Sequence, residues 1–350
     1  MKDGANIIDR IATGEHPYVI AEIGINHNGD MSLAREMIDA AAENGADCVK
    51  FQNFVVDKYI SPLAGKADYQ EQEDFSGKTQ NEIIKACEIT VKQADELRAY
   101  AATKNTDFMS TPFEVWSLRD LLSLGLPAIK ISSCNLTNMP FLEEAADSHV
   151  PILLSTGMGS LEEVIRAVGI FKTAGSPLML FQCTSNYPSR PENANLRVIE
   201  TYRRLFDVPV GLSDHTPSNT TCIAAVALGA VAIEKHFTLS RALPGIDQKA
   251  SIEPQELKEL VTVLRECRAA LGSPVKFRTG EEENTAIALR RSLVAAYDLP
   301  SGAILDEGSA TIMRPGTGLA PEYLPRLIGR RLTRSVKAGS PLSLDDFLTP

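Results

Sequence analysis

No apolar run in this 350-residue chain approaches the roughly 20 residues that cross a bilayer, and the longest, IAAVALGAVAI from Ile223, stops well short. The opening MKDGANIIDRIATGEH has no apolar core of the kind a secretory leader carries, so no membrane contact and a cytoplasmic location are expected. The six cysteines form no CxxC pair and no closely spaced framework, which excludes a structural zinc knuckle and predicts reduced thiols, mostly in the core. Positive charge is scarce: Asp and Glu outnumber Lys and Arg by 45 to 35, for a formal charge of −10. Without a clustered basic face the chain is not expected to bind nucleic acid. An anionic ligand would need a local positive potential built against that background, so lysines in unusual places become informative.

What is present is a rhythm. Short β-rich runs begin at Tyr18 (YVIAEIG), Asp47 (DCVKFQ), Asp107 (DFMSTP), Ala128 (AIKISS), Pro151 (PILLSTG), Leu178 (LMLFQCTS), Val208 (VPVGLSD) and Val231 (VAIEKHFT). Amphipathic stretches such as MSLAREMIDAAAENG and SLEEVIRAVGIFKTAG separate them, each closed by a glycine. Eight strand–helix units in this length predict an α/β fold, a (β/α)8 TIM barrel, in preference to an open doubly wound sheet. The rhythm breaks near LGSPVKFRTGEEENTA; RRSLVAAYDLPSGAIL and IGRRLTRSVKAGSPLS then predict a small β-rich module. The expected division is a barrel over 1–272, a linker over 273–286 and the module over 287–350.

Barrel active sites gather where the strands end at their C-terminal rim. Here nearly every strand ends polar: Glu22; Lys50 and Gln52; Ser110 and Thr111; Lys130, Ser132 and Ser133; Ser155 and Thr156; Gln182, Thr184 and Ser185; Ser213 and His215; Glu234 and His236. Side chains alternate along a strand, so Ser213 and His215 share one face with Asp214 on the other, while Glu234 and His236 share a face that Lys235 does not. His215 and His236, on adjacent strand ends, can converge on one divalent cation; the alternatives are hydrogen-bonded structural histidines, or a general base with its partner. Lys50 and Lys130 sit on the inward parity of apolar strands, where an ammonium group is costly unless matched. They suit a clamp for phosphate and carboxylate groups, a Schiff-base amine or a structural ion pair, with nearby hydroxyls favouring the clamp.

The segments IAEIGINHNGD, GADCVKFQ, STPF, STGM, CTSNYP, LSDHT, GAVAIEKHFTL, LPGIDQKAS and MRPGTGL, in this order, resemble the sialic acid synthase family: N-acetylneuraminate synthases and their legionaminate, pseudaminate and related nonulosonate relatives. The resemblance implies a TIM barrel followed by an antifreeze-like (SAF) domain, in a domain-swapped homodimer whose SAF domains cap the partner's barrel. It implies condensation of phosphoenolpyruvate with an N-acylated mannosamine-type aldehyde, giving a nonulosonic acid and phosphate, with Mn²⁺ or Mg²⁺ as cofactor. Carried over by position, it puts the metal on His215 and His236. Phosphoenolpyruvate falls on Lys50, Thr111, Lys130, Ser133, Ser155, Ser185 and Ser213. Sugar contacts fall on Gln52, Asn135, Tyr187, Asp247 and, across the dimer, Arg314; catalytic roles fall on Glu22, Glu234 and Asp247.

Two positions depart from the family pattern. KISSCNLTN carries Cys134 and Asn135 where Gly-Glu is usual, and GIDQKAS carries Gln248 where histidine is common. Both bear on the sugar, since an amide donates as well as accepts, and a deoxy or diacetamido acceptor becomes a candidate. The rivals are a heptulosonate- or octulosonate-type synthase, for whose phosphosugar Arg190 is the sole loop candidate, and a non-catalytic sugar-binding protein. A barrel hydrolase would need HxH on the first strand, where this chain has NHN.

Overall fold

A computed structural model describes residues 6–61, 63–64 and 80–347. Its first compact unit, Met1–Gly272, is built on eight parallel strands. They are β1 (Tyr18–Gly24), β2 (Cys48–Asn53), β3 (Asp107–Pro112), β4 (Ile129–Ile131), β5 (Ile152–Ser155), β6 (Leu178–Cys183), β7 (Val210–Asp214) and β8 (Ala232–His236). Hydrogen bonding runs β3-β2-β1-β8-β7-β6-β5-β4, and β3 lies beside β4, so the sheet curls into a nearly closed (β/α)8 barrel.

Two apolar layers hold it. Outward-facing strand residues such as Val49, Ile131, Leu154 and Ile233 pack with the helices in one cluster. Inward-facing Ile20, Cys48, Met109, Leu153, Met179 and Ala232 fill the lower interior, and helix α1 (Ile7–Thr13) covers that end with Ile7, Ile8 and Ile11. The lower barrel is therefore a packed plug, leaving room only above it. The helices start and stop as their sequences dictate. Leu161–Ala174 begins on a Ser160/Glu163 capping box and ends at Gly175, whose φ of 67° is the left-handed turn that suits glycine. In Met31–Glu43 the C-cap is Asn44, and the glycine follows one residue later.

The second unit, Ser273–Pro350, is held by its own core of Leu293, Leu299, Leu305, Leu327, Leu332, Val336 and Leu342. An antiparallel pair, β9 (Ser292–Ala295) with β10 (Ala310–Met313), is joined by single bridges such as Leu299↔Val336 and Ile304↔Arg331 that tie the two repeated β-like blocks together. One difference from expectation is a helix over Glu282–Leu289, crossing the end of the presumed linker. None of its residues is buried, so its sequence carries no apolar period to read, and its support is the acidic first turn Glu282–Glu283 at the positive end of the helix dipole. Among the described residues no helix is long and apolar enough to cross a membrane.

Candidate active site

Register decides which side chains meet. Glu22 pairs with Lys50 on one side and His236 on the other, Gln52 with Thr111, and Ser213 with Glu234. All of these face inward, above the apolar plug. Asp214 pairs with Lys235, and that couple faces outward, as side-chain alternation predicts. A bulge lets β1 turn away after Glu22. Gly24 sits there at φ +56°, where an added Cβ would crowd Gln52 Nε2 and Glu22 Oε1 at 3.1 Å, so the site needs glycine for both conformation and space.

The result is a cavity of about 320 Å³ at the C-terminal rim. Glu22, Lys50, Gln52, Thr111, Lys130, Ser133, Ser155, Ser185, Tyr187, Ser213, His215, Glu234, His236 and Asp247 all line it. On its floor Lys50 Nζ lies 2.7 Å from Glu22 Oε2 and donates to Thr111 Oγ1 at 2.9 Å. Lys130 Nζ reaches both oxygens of Glu234 at 2.8 Å and sits 4.7 Å above the Phe181 ring, a cation–π contact. Ser213 Oγ donates to Glu234 at 3.0 Å, and Gln52 Nε2 to Glu22 at 3.0 Å.

These charges shape one another. Burial opposes ionisation of Glu234, but Lys130 and Lys50 outweigh it and hold the carboxyl below its ordinary range. Burial lifts Glu22 above its usual value despite Lys50. Asp247, buried and near Glu22, is pushed up to about 6. Burial, with repulsion from His215 and Lys50, drives His236 well below its usual value, so its ring is neutral. Burial also disfavours charge on His215, yet the adjacent Cys183 outweighs it and raises that ring.

The two imidazoles stand 5.5 Å apart, centre to centre, with Tyr187 packed against both. His215 Nδ1 meets the Thr184 carbonyl at 2.8 Å; a carbonyl can only accept, so Nδ1 carries the hydrogen and Nε2 is the nitrogen that the neutral ring would offer a cation. His236 Nδ1 is buried with no hydrogen-bond partner, 3.9 Å from Asp247 Oδ2. Buried polar atoms are seldom left unmet, so an orphaned nitrogen beside a second imidazole fits a borderline divalent cation. Among the described residues no group of three or more His, Cys, Asp or Glu side chains is placed to hold a metal ion, so a cation on the two imidazoles would take its remaining ligands from water or substrate.

Not every polar strand end belongs here. Ser110 donates to Asn53, Thr156 to the Phe181 carbonyl and Gln182 to the Ala194 carbonyl, and none of the three lines the cavity. Asn135 does not line the cavity: its carboxamide donates to the Phe113 carbonyl at 3.2 Å and accepts from Asn138, while Cys134 lines it. Gln248, fully buried, donates to the Asn26 carbonyl at 2.9 Å and accepts from Thr238, bracing two loops without lining the cavity. In NHN, Asn26 is tied to Phe237 and Ser251 and His27 is fully buried, and neither faces the cavity. Arg190 is exposed and does not line it either; Arg314 is exposed on the second unit.

Sequence reading missed the walls. Cys183, read as a core thiol, lines the floor, where the nearby His215 and Lys130 lower its thiol against the opposing effect of burial. Toward the mouth, Phe54, Tyr59, Ile84, Phe113 and Ile246 form an apolar wall with the Phe113 ring edge-on to Phe54 and tilted against Tyr59. Phe54 and Phe113 come directly after β2 and β3, a position that alone marked them for the rim.

The geometry has counterparts. Residues 37–276 match the NeuB family and residues 290–348 the SAF domain. The chain is 39% identical to the N,N'-diacetyllegionaminic acid synthase of Legionella pneumophila, over 93% of each chain. It is 37% identical to the human N-acetylneuraminate-9-phosphate synthase, over 93% of this chain and 91% of that one. A crystal structure of N-acetylneuraminic acid (sialic acid) synthetase from Leptospira borgpetersenii, 37% identical, superposes with a TM-score of 0.70 over 77% of this chain and 90% of that one. A barrel whose rim residues fall in one cavity, matched over most of its length, places this chain in the NeuB family.

Proposed function

We propose that the protein condenses phosphoenolpyruvate with an N-acylated mannosamine-type sugar, releasing phosphate and forming a nonulosonic acid. The observation that carries this is the cavity floor: two buried ammonium groups, an unpartnered buried Ser155 hydroxyl and the His215–His236 pair face one space. Lys50 and Lys130 offset the charge of phosphoenolpyruvate, with Thr111, Ser133, Ser155, Ser185 and Ser213 donating to its oxygens. Its C3 forms the new bond to the sugar aldehyde carbon, water adds at C2, and the C2–O bond to phosphate breaks. Glu22, with Glu234 and Asp247, positions that water and handles its proton. A divalent cation held by His215 and His236, Mn²⁺ or Mg²⁺, would polarise the aldehyde oxygen. Gln52, Tyr187 and Asp247 face the acceptor. The catalytic unit is the barrel over 1–272, acting as a cytoplasmic homodimer in which Arg314 of one SAF domain reaches the partner's sugar.

The acceptor's aldehyde must sit at the floor, so its far carbons reach the apolar mouth. Phe54, Tyr59, Phe113, Ile84 and Ile246 suit a deoxy, diacetamido end better than a hydroxymethyl or phosphate group, and apart from Lys50 and Lys130 no Lys or Arg lines the described cavity. Phosphate release should need both substrates, and kcat/KM should favour a 2,4-diacetamido-2,4,6-trideoxyhexose over N-acetylmannosamine by about 10- to 100-fold, the scale on which pockets separate such groups. Release with a phosphorylated aldose, or with no sugar tried, would overturn the reading.

Gly157 offers a gentler test. An added Cβ would crowd Ser185 Oγ, lie 2.9 Å from Ser133 Oγ and 3.2 Å from Cys183 Sγ, filling the hydroxyl cradle. Gly157→Ala should keep the fold and raise KM for phosphoenolpyruvate about tenfold, the loss of roughly one hydrogen bond to a charged group. An unchanged KM would remove Ser133 and Ser185 from the anion site.

A further inference from the structure

One pair of buried charges takes no part in the proposed reaction. Lys235 stands between Glu234 and His236 in sequence, yet its side chain leaves by the opposite face of β8. It is 2% exposed. Behind the barrel wall its ammonium donates to Asp214 Oδ2 at 2.5 Å, to the Thr216 carbonyl at 2.6 Å and to the Ser218 carbonyl at 3.2 Å. A lysine has three N–H donors, and all three are used. Asp214 in turn accepts from the Thr216 backbone N–H and hydroxyl, each at 3.1 Å.

Those acceptors bracket one residue. Asp214 precedes His215 and Thr216 follows it, so a side chain rooted in the strand of His236 grips the turn that carries His215. The rest of that turn is fastened to other elements: the His215 ring to the Thr184 carbonyl at 2.8 Å, and the His215 carbonyl to the Ser189 N–H at 2.8 Å. On the other side, the Phe237 N–H donates to the Glu22 carbonyl and the Ile252 N–H to the His236 carbonyl, both at 2.8 Å, which holds the end of β8. Of these ties, the Lys235 ammonium is the one that spans directly from β8 to the His215 turn.

We propose that Lys235 is a positioning residue that fixes the distance and angle between His215 and His236, the pair read above as holding a divalent cation. Stability alone is a poor account of the ion pair, because apolar residues of similar volume fill such a site as well or better. What the ammonium adds is direction, three bonds aimed at one turn. Partners behind metal-binding imidazoles typically set affinity by 10- to 100-fold, which is the effect expected here.

The test uses the full-length protein stripped of metal. Mn²⁺ binding is titrated without substrates and followed by electron paramagnetic resonance, alongside thermal melting and the KM for phosphoenolpyruvate. Lys235→Met leaves Asp214 buried and unpaired, so it should lower Tm and weaken Mn²⁺ binding 10- to 100-fold. Lys235→Met with Asp214→Leu removes both charges; it should recover much of the Tm and still bind Mn²⁺ 10- to 100-fold more weakly, with the KM for phosphoenolpyruvate within about twofold. A folded double variant with wild-type Mn²⁺ affinity would overturn the positioning role alone. Failure of the wild type to bind Mn²⁺ more tightly than His236→Ala would overturn the histidine-pair reading, and this proposal with it.

Discussion

Lys130→Met should lower kcat/KM for phosphoenolpyruvate by about a thousandfold, most of it through KM. Removing one partner of a desolvated charge pair costs roughly 2–5 kcal/mol, and each 1.4 kcal/mol is a factor of ten. In the free protein Lys130 bonds both Glu234 oxygens, so the substitution also leaves that carboxylate with Ser213 and, at 3.8 Å, Lys50. Part of the loss will therefore appear as lower Tm. Lys235→Met supplies the control, since it breaks an equally buried pair outside the cavity. Both variants should melt earlier, and only Lys130→Met should raise the KM for phosphoenolpyruvate. Equal KM effects would reduce Lys130 to a structural ion pair, the reading its contact with Glu234 keeps in play.

That reading shows where sequence stops. Inward parity at Lys50 and Lys130 was legible because strand alternation is a geometric constraint, and the same rule put Asp214 and Lys235 on the outer face. Which anion meets an inward lysine is not written in parity: in the free protein it is Glu22 and Glu234, the very carboxylates assigned to catalysis. Eight strands could be counted because each is an apolar run bounded by turn residues. Their last residues were harder. β4 stops at Ile131, and the single 3-10 turn over Ser133–Asn135 rotates Cys134 into the cavity and Asn135 away, a one-residue shift that no period foretells. The wall of Phe54, Tyr59, Ile84, Phe113 and Ile246 comes from loops and from helices of four and six residues, Val56–Tyr59 and Gln80–Lys85, too short to show a period. Gln248 drew attention because it stands where the family commonly has histidine; its amide is consumed by loop carbonyls.

His236→Ala should depress phosphate release by about a thousandfold or more at saturating substrates, because polarisation of a carbonyl by a bound cation contributes several kcal/mol to the transition state. Three observations converge on that residue. Its ring is neutral, held there by burial and by repulsion from His215 and Lys50, so a lone pair is available. Its Nδ1 is buried without a hydrogen-bond partner, a state a structural histidine would avoid. Its neighbour His215 is fixed through Nδ1 to the Thr184 carbonyl, so Nε2 is the nitrogen that its neutral ring would offer. A purely structural role for the pair predicts lost stability in the variant and indifference to chelators. A metal role predicts that wild-type protein dialysed against a chelator falls to the level of the variant, that Mn²⁺ or Mg²⁺ restores the wild type and not the variant, and that chelator does nothing further to His236→Ala. Full activity of chelator-treated wild type would remove the cation from the reaction and leave the two imidazoles as candidates for general acid–base work at the same aldehyde.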